Sequence, residues 1–431
     1  MNIRHTRSKL FWRKRIGPTT MLLCLIAFTL SLPRYAVAMS LGTTVLYILM
    51  RVARCGPNIV RALQGVSRPQ VLKAPPIPQL ILFIVVMMCL LPFSTNVAVS
   101  FRYFLHVSAC LTVFLLLVGL RELAPHRRRT RFVVHACLLG ATVDAAYGIY
   151  QAHVTGHLYI NGLQQEHLHS VYGSILVTAI LAAMALLLAA RCPLRRAAYF
   201  GVVCLCGIAL ALSQARGPWV ALALSCPVVV YLSRQRLARN RKRAIYSLGA
   251  AAALALILTP LYVGHALTII DPKWEPNSER VLIWKSTLHM IEDHPLVGVG
   301  AGMFSTVYNA RYISPASVEG FHPHAHNSYL MILSEDGILG FAAFLYLLWG
   351  IAIFLQAALR ENPTSPYIIG TIGVFCSLII NSFVDHFLFS GYMRSEWILW
   401  LLLGLVYYDR LTPRQLKLPN PSVSAREYTL A

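Results

Sequence analysis

Three histidines alternate within one short stretch, His322-Pro-His-Ala-His326, and Asn327 follows them directly. Extended backbone sends alternate side chains to the same face, so this spacing can present several imidazoles together. An imidazole titrates near neutral pH and suits a general base, and alternating histidines also suit a metal ion. No acidic or cysteine ligand lies in register with them, which disfavours the metal. A hydrated loop tip is the third interpretation. We predict a catalytic role without a metal for this stretch.

Two arginines have positions that suit an anionic ligand. Arg216 lies in the short turn Ser213-Gln-Ala-Arg-Gly-Pro218, between two apolar stretches. A guanidinium at such a depth is costly without a partner. It either clamps a phosphate group through two hydrogen bonds, pairs with an acid such as Asp385, or reaches to the lipid headgroups. Arg280 stands near the start of a predicted helix, where it is either a solvated charge or part of an anion site.

The elements that must position these residues follow from an apolar composition. The chain has 431 residues, of which 57% are hydrophobic and 13% are charged. Soluble domains carry about 25% charged residues, so this chain cannot cover itself with a water-facing surface. The net charge of +22 does not indicate nucleic-acid binding, because the basic residues form short runs between apolar stretches. The ten cysteines show no zinc or disulfide spacing, which leaves them as small apolar residues in helices.

Apolar stretches near the length that crosses a bilayer, about 20 residues, recur along the chain. Twelve candidate spans are centred on 19–33, 35–50, 78–94, 97–120, 132–151, 170–190, 197–214, 217–232, 244–263, 328–358, 366–384 and 396–408. The segments between the spans alternate between the two sides of the membrane. All but eight of the 38 Lys and Arg residues lie in segments on the same side. By the positive-inside rule that side is the cytoplasm, and both termini lie there. The sequence therefore predicts an all-α fold, a polytopic transmembrane helical bundle of about 12 spans.

The first predicted span has a second interpretation. Basic residues, an apolar run and Ala36-Val37-Ala38 resemble a signal peptide with its cleavage site. A further apolar stretch follows at once, which favours an uncleaved first helix. Cleavage would remove one span without changing the sidedness of the others.

The spans divide the chain into four parts. Spans one to nine with short loops occupy 1–263, a large outer loop occupies 264–327, three spans occupy 328–408, and a cytoplasmic tail occupies 409–431. A loop of about 60 residues is too long for a simple connection, and such loops are usually functional or disordered. This one is predicted to be partly helical and to lie on the periplasmic side.

The large outer loop is predicted to contain an amphipathic helix. Four apolar residues recur in it at helical spacing: Val281, Leu282, Leu288 and Ile291. Asn277 or Ser278 can cap this helix, and Pro295 with Gly298 ends it. The stretch Gly298-Val-Gly-Ala-Gly302 follows no strand and lacks the Rossmann spacing, so it predicts a turn and not a phosphate cradle.

Three stretches of the chain carry a family resemblance. They are Gln214-Ala-Arg-Gly-Pro-Trp219; Glu279-Arg-Val-Leu-Ile-Trp284 with His294-Pro-Leu-Val-Gly-Val-Gly300 and Phe304; and His324-Ala-His-Asn-Ser-Tyr-Leu330 with Glu335-Asp-Gly-Ile-Leu-Gly340. Together they cover about the central third of the chain, and the third stretch at its distance from the second is fairly specific. They resemble the superfamily of O-antigen ligases, O-antigen polymerases and protein O-oligosaccharyltransferases of Gram-negative envelopes. The late position of the large loop and the roughly twelve spans look more like a ligase.

The resemblance implies glycan transfer from undecaprenyl diphosphate at the periplasmic side of the bacterial inner membrane, without nucleotide, metal or other cofactor. Arg216 and Arg280 match arginines expected to hold the donor diphosphate, and His326 matches the histidine expected to act as base. His324 and Asn327 flank it and are predicted to bind substrate. The acceptor implied for a ligase is a hydroxyl of lipid A–core, in lipopolysaccharide biosynthesis. The two histidines that precede His326 depart from the family pattern, which leaves their roles open.

Other functions remain open from the sequence. A polymerase or a protein O-oligosaccharyltransferase would use the same donor with a different acceptor. A transporter of lipid-linked sugars would line the middle of the bundle with ionisable residues, for which Asp144 and Arg102 are the only obvious candidates. Membrane lipids are expected partners in every case, and nucleic acid is not.

Overall fold

The computed structural model describes residues 18–30, 74–123, 129–156, 160–163, 169–235, 268, 271, 274–388 and 394–410. All regular secondary structure in these ranges is helical, which confirms the predicted all-α class. The helices are α1 Pro18–Thr29, α2 Ile77–Leu90, α3 Val97–Leu123, α4 Arg129–Thr155, α5 His169–Ala189, α6 Pro193–Leu212, α7 Arg216–Leu232, α8 Glu275–Asp293, α9 Phe304–Arg311, α10 Ser328–Glu361, α11 Pro366–Asn381 and α12 Arg394–Arg410. A short 3₁₀ helix, Leu91–Phe93, follows α2.

Four of the described helices are long and apolar enough to cross a membrane, namely α4, α5, α6 and α10. Shorter apolar helices include α1, α2, α7, α11 and α12. The predicted spans at 35–50 and 244–263, the possible cleavage site at 36–38 and nearly all of the tail lie outside the described residues. The polytopic character of the chain is therefore confirmed, and the number of spans stays a prediction.

Helix α5 is the hub of the bundle, because it packs against α4, α6, α7, α11 and α12. It is apolar on every side, as expected of a helix that other helices surround. Small residues let its neighbours come close. A Cβ on Gly173 would meet Ala215 and Pro218 of the turn into α7, and a Cβ on Gly370 of α11 would lie 3.3 Å from Ala182. The contact at Gly173 packs the turn that carries Arg216 directly against α5.

Helix α10 contains a break that the sequence did not predict. Gly337 has a φ of 61°, so the span predicted at 328–358 consists of two helical segments joined by a kink. The segment that follows α8 fills the break, because Pro295 O accepts from Ile338 N at 2.9 Å and Leu296 O accepts from Leu339 N at 3.3 Å. The loop therefore supplies the backbone hydrogen bonds that the kink removes from the helix.

The glycine-rich stretch 298–302 forms the predicted turn, with a positive φ at all three of its glycines. Its backbone N–H groups bind α10: Gly300 N donates to Glu335 O at 2.7 Å, and Val299 N donates to Ser334 O at 3.1 Å. Thr95 N, from the turn before α3, donates to Val299 O at 3.0 Å. The turn thus links the outer loop to α10 and to the segment before α3. The backbone N–H groups of Val299 and Gly300 are satisfied within the protein.

Helix α8 differs from the prediction at its start and in its buried face. It begins at Glu275, two to three residues before the predicted caps, because a proline occupies its first turn and needs no hydrogen-bond partner there. The helix ends at Asp293 just before Pro295, as predicted. Val281 and Leu288 of the predicted apolar face are exposed. The buried face carries Ile283 and Met290, which pack with Val299, Met303, Phe304, Tyr308, Ala325 and Met331 in a second core.

We expect Gly337→Ala to destabilise the protein. Gly337 has a φ of 61° and a ψ of −168°, a backbone region used almost only by glycine, and a residue with a Cβ there costs about 1–3 kcal/mol. That Cβ would also lie 2.3 Å from the backbone of Leu296. The thermal unfolding midpoint of the detergent-purified protein should fall. Gly201→Ala is the matched control, because nothing lies within 4 Å of its Cβ and alanine favours a helix. Equal midpoints for the two variants would contradict the account of the break.

Candidate functional site

Two turns that are far apart in the sequence are tied together at the start of α10. Ser328 Oγ accepts from Phe387 N at 2.9 Å and from Leu388 N at 3.2 Å, and it lies 3.3 Å from Asp385 O, to which it can donate. Ser328 N donates to Ser382 O at 2.8 Å. These bonds hold the histidine stretch before α10 against the turn after α11. Residues of both turns therefore form one site.

Two histidines and one aspartate meet where these turns touch. His326 Nδ1 lies 3.4 Å from Asp385 Oδ1, and His324 Nδ1 lies 3.9 Å from the same oxygen. The rings of the two histidines pack edge to face, with centroids 4.2 Å apart. The backbone N–H of His386 donates to Asp385 Oδ1 at 2.8 Å, which holds the carboxylate in place. His326 Nδ1 makes no hydrogen bond of ordinary geometry among the described residues, and the carboxylate at 3.4 Å is the acidic group that it faces.

The backbone around His326 is held in a strained conformation. His326 has a φ of 49°, a left-handed value that is uncommon for a residue with a side chain. The neighbouring Ala325 is fully buried, and its carbonyl accepts from Trp284 Nε1 of α8 at 3.0 Å. Strain of this kind persists where the surroundings enforce it, and it is common at functional sites. Helix α8 thus helps to aim the imidazole of His326.

Burial and charge set the protonation states of the cluster. Burial lowers the pKa of His324 to about 4, and the nearby His326 adds to this effect, against the attraction of Asp385. Burial also lowers the pKa of His386 well below its ordinary value. Burial alone would raise the pKa of Asp385, but the hydrogen bond and charge of His326, followed by His324 and Arg280, hold it well below its usual range. At neutral pH the site therefore holds an ionised Asp385 carboxylate next to neutral His324 and His386.

The two predicted arginines lie on different helices, and of the two it is Arg280 whose charge acts on the cluster. Arg280 lies in the first turns of α8, half-buried, and its charge lowers the pKa of both Asp385 and His324. Arg216 begins α7, and its Nη1 donates to the carbonyl and the hydroxyl of Thr268, each at 3.1 Å. Asn277 of α8 donates to the same carbonyl at 2.7 Å. Thr268 thus connects Arg216 to the helix that carries Arg280.

His322 stands apart from the other two histidines. Its side chain is buried, its backbone exchanges hydrogen bonds with the Asn309 side chain at 2.7 and 2.8 Å, and its Nε2 lies 3.1 Å from Ser317 Oγ. Ser317 Oγ also donates to Glu279 Oε2 at 2.6 Å. Burial opposes ionisation of Glu279, but hydrogen bonds from Ser317 and from Val318 N–H lower its pKa overall. His322 therefore belongs to the packing of the loop.

Asn327 is the N-cap of α10. Its Oδ1 accepts from Tyr329 N at 2.9 Å and from Leu330 N at 3.1 Å, and its Nδ2 donates to Phe383 O at 3.2 Å. These bonds satisfy free N–H groups at the helix start and link the two turns. The substrate-binding role predicted for Asn327 stays a prediction, and its structural role is clear.

Sequence reasoning did not select Asp385 or His386 for the site. Asp385 was considered only as a partner for Arg216, although it is one of few acids in the segments predicted to lie outside. His386 follows it directly, and its Nε2 lies 3.3 Å from the hydroxyl of Tyr103 in α3. Because Asp385 comes from another turn, spacing around the histidines could not reveal it. The fold therefore brings an acidic side chain next to the histidine stretch, although none lies in register with it in the sequence.

The fold is that of a helical integral membrane protein, and its candidate site is a histidine and aspartate cluster where two turns meet. Residues 200–345 match the family model described as O-Antigen ligase. This match, which covers about a third of the chain, supports membership of the O-antigen ligase and polymerase superfamily, as the resemblance predicted. The family points to a glycosyltransferase-like membrane enzyme. The matched region includes both arginines and His326 and ends before Asp385. No curated protein matches the chain.

Proposed function

We propose that the protein transfers a glycan from undecaprenyl diphosphate to a hydroxyl of lipid A–core, at the periplasmic face of the inner membrane. The observation that carries this proposal is the meeting of His326 with the Asp385 carboxylate, next to the charge of Arg280. A base beside a cationic group suits a reaction that removes a proton and releases an anionic leaving group. Family membership supports glycosyl transfer in general.

His326 acts as the general base in this proposal. The Asp385 carboxylate favours the tautomer with the proton on Nδ1, which faces it at 3.4 Å, and this leaves the lone pair on Nε2. Nε2 takes the proton of the acceptor hydroxyl while the hydroxyl oxygen attacks the anomeric carbon. The bond from that carbon to the diphosphate oxygen breaks, and the anomeric configuration inverts. Asp385 orients the ring and stabilises the imidazolium that forms.

The arginines hold the diphosphate and balance the charge that grows on it. Arg280 is half-buried near the cluster, where a guanidinium interacts more strongly than in bulk water. Arg216 is fixed through Thr268 to the segment that leads into α8, so both arginines depend on the position of this helix. The polyprenyl tail lies between the helices of the bundle, and the diphosphate lies under the outer loop. His324 and Asn327 would contact the sugars at the edge of this space.

The transporter alternative gains little from the described residues. The carboxylate of Asp144 accepts from Leu163 N at 2.7 Å, so it anchors an outer turn. Arg102 is exposed on the surface of the bundle. Neither residue forms part of an ionisable path through the middle of the bundle. Transfer to another acceptor, as in a polymerase or a protein O-oligosaccharyltransferase, uses the same site and is separated by the choice of acceptor.

A purified-component assay tests the proposed reaction. Protein in detergent is mixed with undecaprenyl-diphosphate-linked glycan and with either lipid A–core or a second polyprenyl-linked glycan. We expect glycan on lipid A–core, no chain extension, and loss of transfer in His326→Gln. Detergent removes the sealed membrane that a transporter requires. Extension of the polyprenyl-linked acceptor would assign a polymerase, and failure with every acceptor would contradict the proposal.

Arg280→Lys and Arg216→Lys test the diphosphate clamp. Lysine keeps the positive charge but lacks the planar fork that binds two oxygens at once. We expect transfer to fall by about 10²-fold or more in each variant, as is typical when one stabilising donor is lost. Arg311→Lys, at the end of α9, is the control and should transfer normally. A wild-type rate in either variant would show that its arginine does not clamp the diphosphate through two hydrogen bonds.

A further inference from the structure

We propose that His324, His326 and Asp385 bind a divalent transition-metal ion of the zinc class, and that the bound ion switches off glycan transfer. The first half of the proposal rests on the geometry of the cluster alone. The second half rests on the proposed function, because it concerns the use of His326 as a base. The ion is thus a reversible inhibitor and takes no part in the transfer.

The donor atoms stand close to the spacing that such an ion needs. A tetrahedral zinc ion with ligands at about 2.1 Å holds them roughly 3.4 Å apart. Asp385 Oδ1 lies 3.4 Å from His326 Nδ1 and 3.9 Å from His324 Nδ1, and all three atoms lie within 4.8 Å of one another. The two histidine side chains are 28% and 25% exposed, so small ring rotations can close the remaining distance.

One of the two nitrogens, His324 Nδ1, already carries a lone pair, which a small ring rotation can turn from the His326 N–H toward the carboxylate. His324 Nδ1 accepts from His326 N at 3.4 Å, so in the neutral ring this nitrogen carries its lone pair. A lone pair and a carboxylate oxygen near one another are stabilised by a cation between them. Two imidazole nitrogens with one carboxylate suit zinc, cobalt or nickel, whereas magnesium and calcium prefer oxygen ligands alone.

Metal binding and base catalysis exclude one another at His326. Without metal, the Nδ1 proton lies on the side of Asp385 and Nε2 holds a lone pair. An ion on Nδ1 takes that position, so the proton of the neutral ring moves through solvent to Nε2, with no net gain or loss of protons. Nε2–H can donate a hydrogen bond but cannot accept the proton of the acceptor hydroxyl. The ion therefore removes the base without changing the fold.

The surroundings limit the affinity of this site. Arg280 carries a positive charge close enough to act on both Asp385 and His324, and it repels a cation. His386 directs its Nε2 to Tyr103 and is not part of the ligand set. The fourth coordination position remains for water. A three-ligand site next to an arginine should exchange its ion readily, which fits inhibition that a chelator reverses.

Cobalt provides the direct test of the site. The full chain, purified with a tag that contains no histidine, is titrated with Co²⁺ and its visible absorption is recorded. We expect one ion per chain, displaced by Zn²⁺. Loss of one ligand should weaken binding by more than the roughly 10- to 100-fold typical of outer-shell partners. His324→Phe, which keeps a ring without nitrogens, and Asp385→Asn should both show this loss.

His289→Phe is the matched control for the titration. His289 lies on α8 beside Glu292, and both side chains are more than 70% exposed, so this pair offers ligand types without a built site. The variant should bind Co²⁺ like the wild type. No visible band, or bands unchanged in both His324→Phe and Asp385→Asn, would overturn the metal site. Thermal melting of each variant verifies its fold.

The inhibitory half is tested in the transfer assay. Zn²⁺ should abolish transfer with the dissociation constant that its competition with Co²⁺ gives once the Co²⁺ concentration is taken into account, and a chelator should restore the rate. Full transfer at saturating Zn²⁺, or faster transfer, would overturn the switch. The Co²⁺ spectrum requires no activity, so it decides the metal site even where the proposed glycan transfer fails.

Discussion

One serine holds the candidate site together. The hydroxyl of Ser328 accepts from two backbone N–H groups of the turn after α11 and lies within hydrogen-bond distance of the carbonyl of Asp385. Because Ser328 is the first residue of α10, the rigid start of a long helix sets the distance between His326 and Asp385. The low pKa of Asp385 depends on that distance, because the nearby His326 and His324 overcome the effect of burial, whereas the low pKa of His324 comes first from its own burial.

The outer loop positions the cationic part of the site through its own small core. Ile283 and Met290 of α8 pack on the segment 299–308, and the glycine turn fastens this segment to the broken α10. Trp284 then reaches across to the carbonyl before His326. Helix α8 therefore carries Arg280 and aims the histidine at the same time.

The sequence predicted the helical class and the loop helix, because apolar periodicity encodes them locally. The family resemblance selected His326 and Arg280, and their roles stay a prediction. The sequence did not predict the break at Gly337, since the hydrogen bonds that compensate for it come from a different segment. It also missed the role of Asp385, whose meeting with the histidines depends on tertiary contacts. The three histidines look equivalent in the sequence, yet burial against Asn309 and Ser317 separates His322 from the other two.

Asp385→Asn tests the central claim, that the carboxylate of the turn after α11 makes His326 a base. Asparagine keeps the size and one oxygen but removes the charge that stabilises an imidazolium. Transfer of glycan to lipid A–core by this variant, measured with purified components and with donor binding verified separately, should fall by about 10²- to 10⁴-fold. Glu292→Gln, an exposed acid on α8, should leave the rate unchanged. A wild-type rate in Asp385→Asn would contradict the account.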